Sequence, residues 1–205
     1  MLLKILLSFA CAGHILCCYC DRLITCTPNG RFSARALDDN EKLSKLFDRV
    51  PPKSSMKSLI LGTIALSMSF CGFMGICDWI RQFSAVYSTI MTVSASLFVL
   101  FVIPHHIICA LIEWFYIRLG LTDEARKIIL DFIKKTSFTM IVCYVGLLVF
   151  AVTFFIAVVT GTTSLPKWAC IFNTLPLFLV LSPFKLVGTG NIANAIMFFG
   201  LAILI

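Results

Sequence analysis

Residues 137–159, SFTMIVCYVGLLVFAVTFFIAVV, run from Ser137 to Val159 without a charged side chain. A run of that length matches the roughly 20 helical residues needed to cross a hydrocarbon core of about 30 Å. Inside hydrocarbon no water satisfies the backbone, so such a run must close its own hydrogen bonds as a helix. The stretch predicts a span that faces lipid or serves packing only. Similar runs lie at 2–20, 58–77, 87–115, 167–183 and 186–205. The chain is 60% hydrophobic and 13% charged, whereas soluble domains are charged at about a quarter of their positions. Its 205 residues hold about six spans with short loops. The expected fold is therefore all-α, a polytopic transmembrane helical bundle forming a single domain over residues 1–205.

The charges sort by loop. With six spans, fourteen of the seventeen Lys and Arg fall in the first, third and fifth connections, and only Lys4, Arg81 and Lys167 fall on the other side. Under the positive-inside rule this places the three basic connections in the cytoplasm and both termini outside. It also explains a net charge of +7 without nucleic acid, which is not expected as a partner. The expected partner is the lipid bilayer, together with a lipid-like small molecule. The longest polar segment, residues 22–57, contains a capped stretch in which Leu43, Leu46, Phe47 and Val50 recur at helical spacing beside Lys42, Lys45 and Arg49. It predicts a short amphipathic helix that ends at Pro51-Pro52 and lies on the membrane surface.

One span carries the chemistry. Residues 94–120 contain Pro104, His105, His106 and Glu113 within an otherwise apolar run. Ionisable groups inside a membrane helix are costly and usually face a protein interior or a wet cavity. Pro104 leaves the carbonyl of Leu100 without its usual donor. Seven residues separate His106 from Glu113, which puts both on nearly the same side of the helix but roughly 10 Å apart along it. Histidine titrates near neutral pH and carries protons or ligands. His105, His106 and Glu113 are thus the candidate catalytic residues, with the face of His106 and Glu113 expected to turn toward Asp21 or Asn191. Trp114 and Tyr116 follow as an expected aromatic belt.

The first run stops at Asp21-Arg22 and holds His14 near its middle. Its apolar character continues past Ala10-Cys11-Ala12, so a retained span is expected rather than a cleaved leader. Ten cysteines are present, and no loop holds a pair of them. Cys17 and Cys20 form a C-x-x-C spacing that no second pair answers, so no metal site and no cofactor are expected. Packing of small thiols is the expected role, with palmitoylation of the juxtamembrane cluster as the alternative. Asp21, Asn173, Asn191 and Asn194 are the candidate ligand-binding residues, the last two sharing one side of the sixth span. Residues 188–193 spell G-x-G-x-x-A, yet no crossover unit surrounds them and no acidic partner follows by Ile205. These glycines are expected to permit close helix packing instead, as are Gly62, Ser69, Gly72 and Gly75 in the second span.

Four features together resemble an uncharacterised family of small integral membrane proteins, found chiefly in bacteria and some microbial eukaryotes. They are Asp21 closing the first span, the His105-His106 pair, Pro166-Lys167-Trp168 with Phe172-Asn173, and Gly190-Asn191-Ile192-Ala193-Asn194. Such families show Gly before the aspartate and Pro after the Phe-Asn pair, where this chain has Cys20 and Thr174. The resemblance implies the architecture and no activity. Three functions remain open on the residues alone. A His/Glu set in a low-dielectric site suits an enzyme acting on a lipid-like or isoprenoid substrate. The same set suits a small transporter or proton-coupled carrier. A structural or interaction protein would use the polar residues only as glue between helices.

Overall fold

A computed structural model describes all residues, Met1–Ile205, and the chain is all-α apart from one short hairpin. Helix α1 spans Leu2–Thr25, and Cys26–Thr27 pairs antiparallel with Gly30–Arg31 just after it. Helix α2 (Asn40–Phe47) starts where the Asp39 carboxylate accepts from the amides of Glu41 and Lys42, satisfying two of the donors a helix start leaves free. Helix α3 (Lys53–Arg81) begins directly behind Pro51-Pro52. Helix α4 (Ala85–Arg118) is capped by Ser84 and runs unbroken through Pro104. Helix α5 (Asp123–Thr136) is capped by Thr122, and α6 (Phe138–Val159) is the charge-free run. The fifth apolar run is split: a 3-10 stretch over Lys167–Phe172 gives way at Asn173 to α7 (Thr174–Leu181) and a last 3-10 turn at Ser182–Phe184. Helix α8 covers Thr189–Leu204.

Helices α1, α3, α4 and α6 are long and apolar enough to cross a membrane. At 1.5 Å per residue, α7 and α8 reach only about 12 and 24 Å, short of a core of about 30 Å. Four span-length helices therefore stand where about six spans were expected. On α6 the residues Ile141, Tyr144, Val145 and Leu148 lie on one exposed apolar stripe, and so large an uncovered apolar surface is compatible with a membrane location.

The segments close a ring in the order α1, α3, α4, α6, the split fifth segment, α8 and back to α1. Phe73 of α3 sits at its centre. Its ring meets Phe98 of α4 at 5.3 Å, Phe150 of α6 at 5.0 Å, Phe198 of α8 at 5.0 Å and His14 of α1 at 6.0 Å, all edge-on. Edge-to-face pairs suit the positive rim and negative face of an aromatic ring. This aromatic plug fills the middle of the bundle.

The split in the fifth segment would strand polar backbone inside the bundle, where it is tolerated only if protein satisfies it. Asn173 does so. Its amide donates to the carbonyl of Ala151 at 2.9 Å, and its carbonyl oxygen accepts from the Leu175 amide at 2.9 Å. The next residue, Thr174, donates to Asn194 of α8. The apolar stripe of α2 packs on protein rather than on lipid: Leu43, Phe47 and Val50 join Tyr116, Ala125 and Ile129 in a second core. Periodicity alone cannot tell the two partners apart. Tyr116 is likewise buried, its hydroxyl donating to Asn40 at 2.8 Å, while Trp114 is half-buried under the Arg118 guanidinium.

Candidate functional site

The end of α1, the start of α3, the second half of α4 and the start of α8 meet at one end of the bundle, and two polar groupings form there. The first is a chain of hydrogen bonds. His14 Nδ1 lies 2.8 Å from Asn191 Oδ1, and Asn191 Nδ2 donates to Asp21 Oδ2 at 2.9 Å. The amide's orientation fixes the direction: Oδ1 can only accept, so His14 carries its proton on Nδ1. His14 Nε2 then faces the aromatic plug without a partner, its ring stacked on Phe198 at 5.6 Å.

His106 enters the same grouping from α4. Its Nε2 lies 3.1 Å from the Ser58 carbonyl and 3.3 Å from the Ser58 hydroxyl, whose own proton goes to the Cys20 carbonyl. Both neighbours accept, so Nε2 bears the proton. Nδ1 is turned toward Asp21 Oδ1 at 3.8 Å. Gly62 makes this possible, because a Cβ there would overlap the imidazole. Gly188, at φ +72°, does the same for Asp21, whose Oδ2 would sit 2.9 Å from an added Cβ.

The second grouping is a cavity of about 360 Å³ further along α4, lined by residues from His105 to Tyr116 of that helix. Ile108, Ile112, Ile129, Met140, Phe32 and Phe47 supply much of its apolar wall, and His105, Cys109 and Glu113 its polar points. His105 Nδ1 lies 3.2 Å from Thr139 Oγ1, which itself donates to the Thr136 carbonyl, so the imidazole donates there and keeps Nε2 as an acceptor. The Cys109 thiol is 3.7 Å from that nitrogen. Glu113 is 5% exposed, and neither carboxylate oxygen has a hydrogen-bond partner. Ser55 approaches it, also buried and also unpartnered. Residues 32–47 roof the cavity, held by Arg126 on the Leu37 carbonyl at 3.0 Å and by Asn40 on Tyr116.

Of the sequence-derived candidates, the structure joins Asp21, His106 and Asn191, and separately His105 and Glu113. His106 and Glu113 are both buried and share a side of α4, yet they serve different groupings, because the neighbour opposite changes over the two turns between them. Asn173 and Asn194 lie deeper in the bundle, paired with Ala151 and Thr174. Of the glycines in the G-x-G-x-x-A stretch, Gly188 makes a close approach, whereas a Cβ on Gly190 would meet nothing within 4 Å. Ser58, Ser55 and Cys109 were not foreseen at the site. The one local signal was Gly62, four residues after Ser58 on α3.

A helical bundle with several apolar helices compatible with a membrane location, carrying buried His and Glu and a half-buried Asp at one end, defines the class. Within it, the chain belongs to a family of unknown function (DUF6796), matched over residues 2–205. No curated protein and no solved structure matches the chain.

Proposed function

We propose that the chain is a six-span integral membrane protein that takes a lipid-like amphiphile into the cavity beside α4, with Glu113 meeting the polar end of that molecule. Glu113 is the observation that carries this reading. A buried carboxyl without a hydrogen-bond partner costs on the order of 1–3 kcal/mol or more, and the polar side chain that approaches it, Ser55, is itself unpartnered. A ligand hydroxyl or amine would recover that loss, and the apolar wall suits a hydrocarbon chain. His105 stands on the same wall as a neutral imidazole with an accepting Nε2, the group for any proton transfer to or from the bound molecule. The carrier reading is less well supported, because the Phe73 cluster blocks a wet path along the bundle axis. Asn173 and Asn194 take structural roles here, since each already has its partner.

The test is Glu113→Leu in purified protein. It should melt higher than wild type, by about 1–3 kcal/mol of added stability, and should retain co-purifying lipid in native mass spectra at least tenfold less. Equal lipid retention, or a lower melting point, would remove Glu113 from the proposal.

In this reading the fourteen basic residues mark the cytoplasmic end, and the fifth and sixth segments cross with the help of their neighbours. Single cysteines placed at residues 28–50 should react with impermeant maleimide only after the cells are opened. Labelling of intact cells would reverse the orientation.

A further inference from the structure

We propose that Cys17, Asp21 and His106 form a three-ligand site for a divalent transition-metal cation of the zinc class. One ligand atom from each lies within 4.8 Å of the others. Zinc bonds of about 2.0–2.3 Å place tetrahedral ligand atoms roughly 3.3–3.8 Å apart. His106 Nδ1 and Asp21 Oδ1 are already 3.8 Å apart, so the trio closes on a cation with shifts of about 1 Å.

The hydrogen bonds around the trio point the right atoms inward. His106 donates Nε2–H to the Ser58 carbonyl, so in the neutral ring Nδ1 is the lone pair, directed at the Asp21 carboxylate. Without a cation, lone pair and carboxylate oppose each other. A metal-bound imidazole ordinarily donates its other N–H to a carbonyl, and ligating carboxylates are themselves hydrogen-bonded. Asn191 supplies that second feature, engaging Oδ2 of Asp21 and leaving Oδ1 free, while His14 holds Asn191 in turn. Cys17 and Asp21 are four residues apart on α1, on one face of the helix.

Charge favours the same assignment. Binding would expel the Cys17 thiol proton to solvent, giving one thiolate, one carboxylate and one neutral imidazole around a 2+ ion. That complex is neutral, which suits a buried site where net charge is costly. Asp21 keeps 21% of its side chain exposed, so a fourth position is open to water or to a ligand atom, as in zinc sites that do chemistry rather than hold a fold. This site stands apart from the Glu113 cavity, and its failure would leave that reading untouched.

The experiment uses the full chain in detergent, stripped with chelator and titrated with Co²⁺ alone. One equivalent should bind with a thiolate-to-cobalt charge-transfer band. Cys17→Ala should lose the band, and Asn191→Leu should bind about 10–100-fold more weakly. X-ray absorption of the wild-type zinc form should show one sulfur with the remaining ligands nitrogen or oxygen, which keeps the test independent of how the variants fold. Absence of stoichiometric binding, an equal band in Cys17→Ala, or a sulfur count of zero or above one would overturn the site.

Discussion

Gly146→Val should leave the bundle unable to close between α4 and α6. A Cβ at Gly146 would lie 2.7 Å from the Phe98 amide nitrogen and 2.7 Å from the Ser94 carbonyl oxygen. Both are helix backbone, so no side-chain rotation relieves the clash, and valine adds two more carbons. Overpacking that moves backbone costs about 3 kcal/mol or more. The expected result is a protein that aggregates on size exclusion in mild detergent, or melts far below wild type. Gly190→Ala is the internal comparison: with nothing within 4 Å, it should melt as wild type or gain about 0.5–1 kcal/mol. A Gly146→Val protein that melts normally would show that α4 and α6 do not touch there.

The second large effect is Phe73→Ala. In a soluble core the loss would combine transfer from water with an empty cavity. In the membrane reading proposed above, lipid is as apolar as the side chain, and only the packing part remains. Removing ~100 Å³ at ~24 cal/mol per Å³ still gives about 2–3 kcal/mol. Three aromatic partners and His14 would lose their common neighbour, so the melting transition should broaden as well as fall. An unchanged transition would mean that the aromatic cluster packs elsewhere. Phe73→Leu, which keeps most of the volume, should recover more than half of the loss.

The long helices were legible because uninterrupted apolar runs of roughly 20 residues read as helices long enough to cross a membrane. Residues 137–159 could only be a helix of near-spanning length. The break in the fifth run was not legible, because it falls at Asn173, whose role depends on an Ala151 carbonyl supplied by another helix. The stripe Leu43, Phe47, Val50 was read correctly as a helix face, but lipid and protein ask for the same pattern. Spacing put His106 and Glu113 on one side of α4, and burial followed. It carried no information about which element stands opposite at each level, and that is what separates the Asp21 grouping from the cavity. Cys17 and Asp21 are four residues apart and share a face in any helix. His106 joins them across 85 residues of chain from Asp21, beyond the reach of any local pattern.

The split fifth segment has a consequence for the order of synthesis. The first four long helices, α1, α3, α4 and α6, present continuous apolar length on their own. The last two segments do not: α7 is too short, and its entry point depends on Asn173 reaching a carbonyl that belongs to α6. Asn194 depends in turn on Thr174. Residues 167–205 therefore complete a wall formed by the earlier helices, bringing Phe198 to the plug and Asn191 to Asp21. Until Asn191 has been made and docked, the cradle around Asp21 lacks the amide that aims its carboxylate.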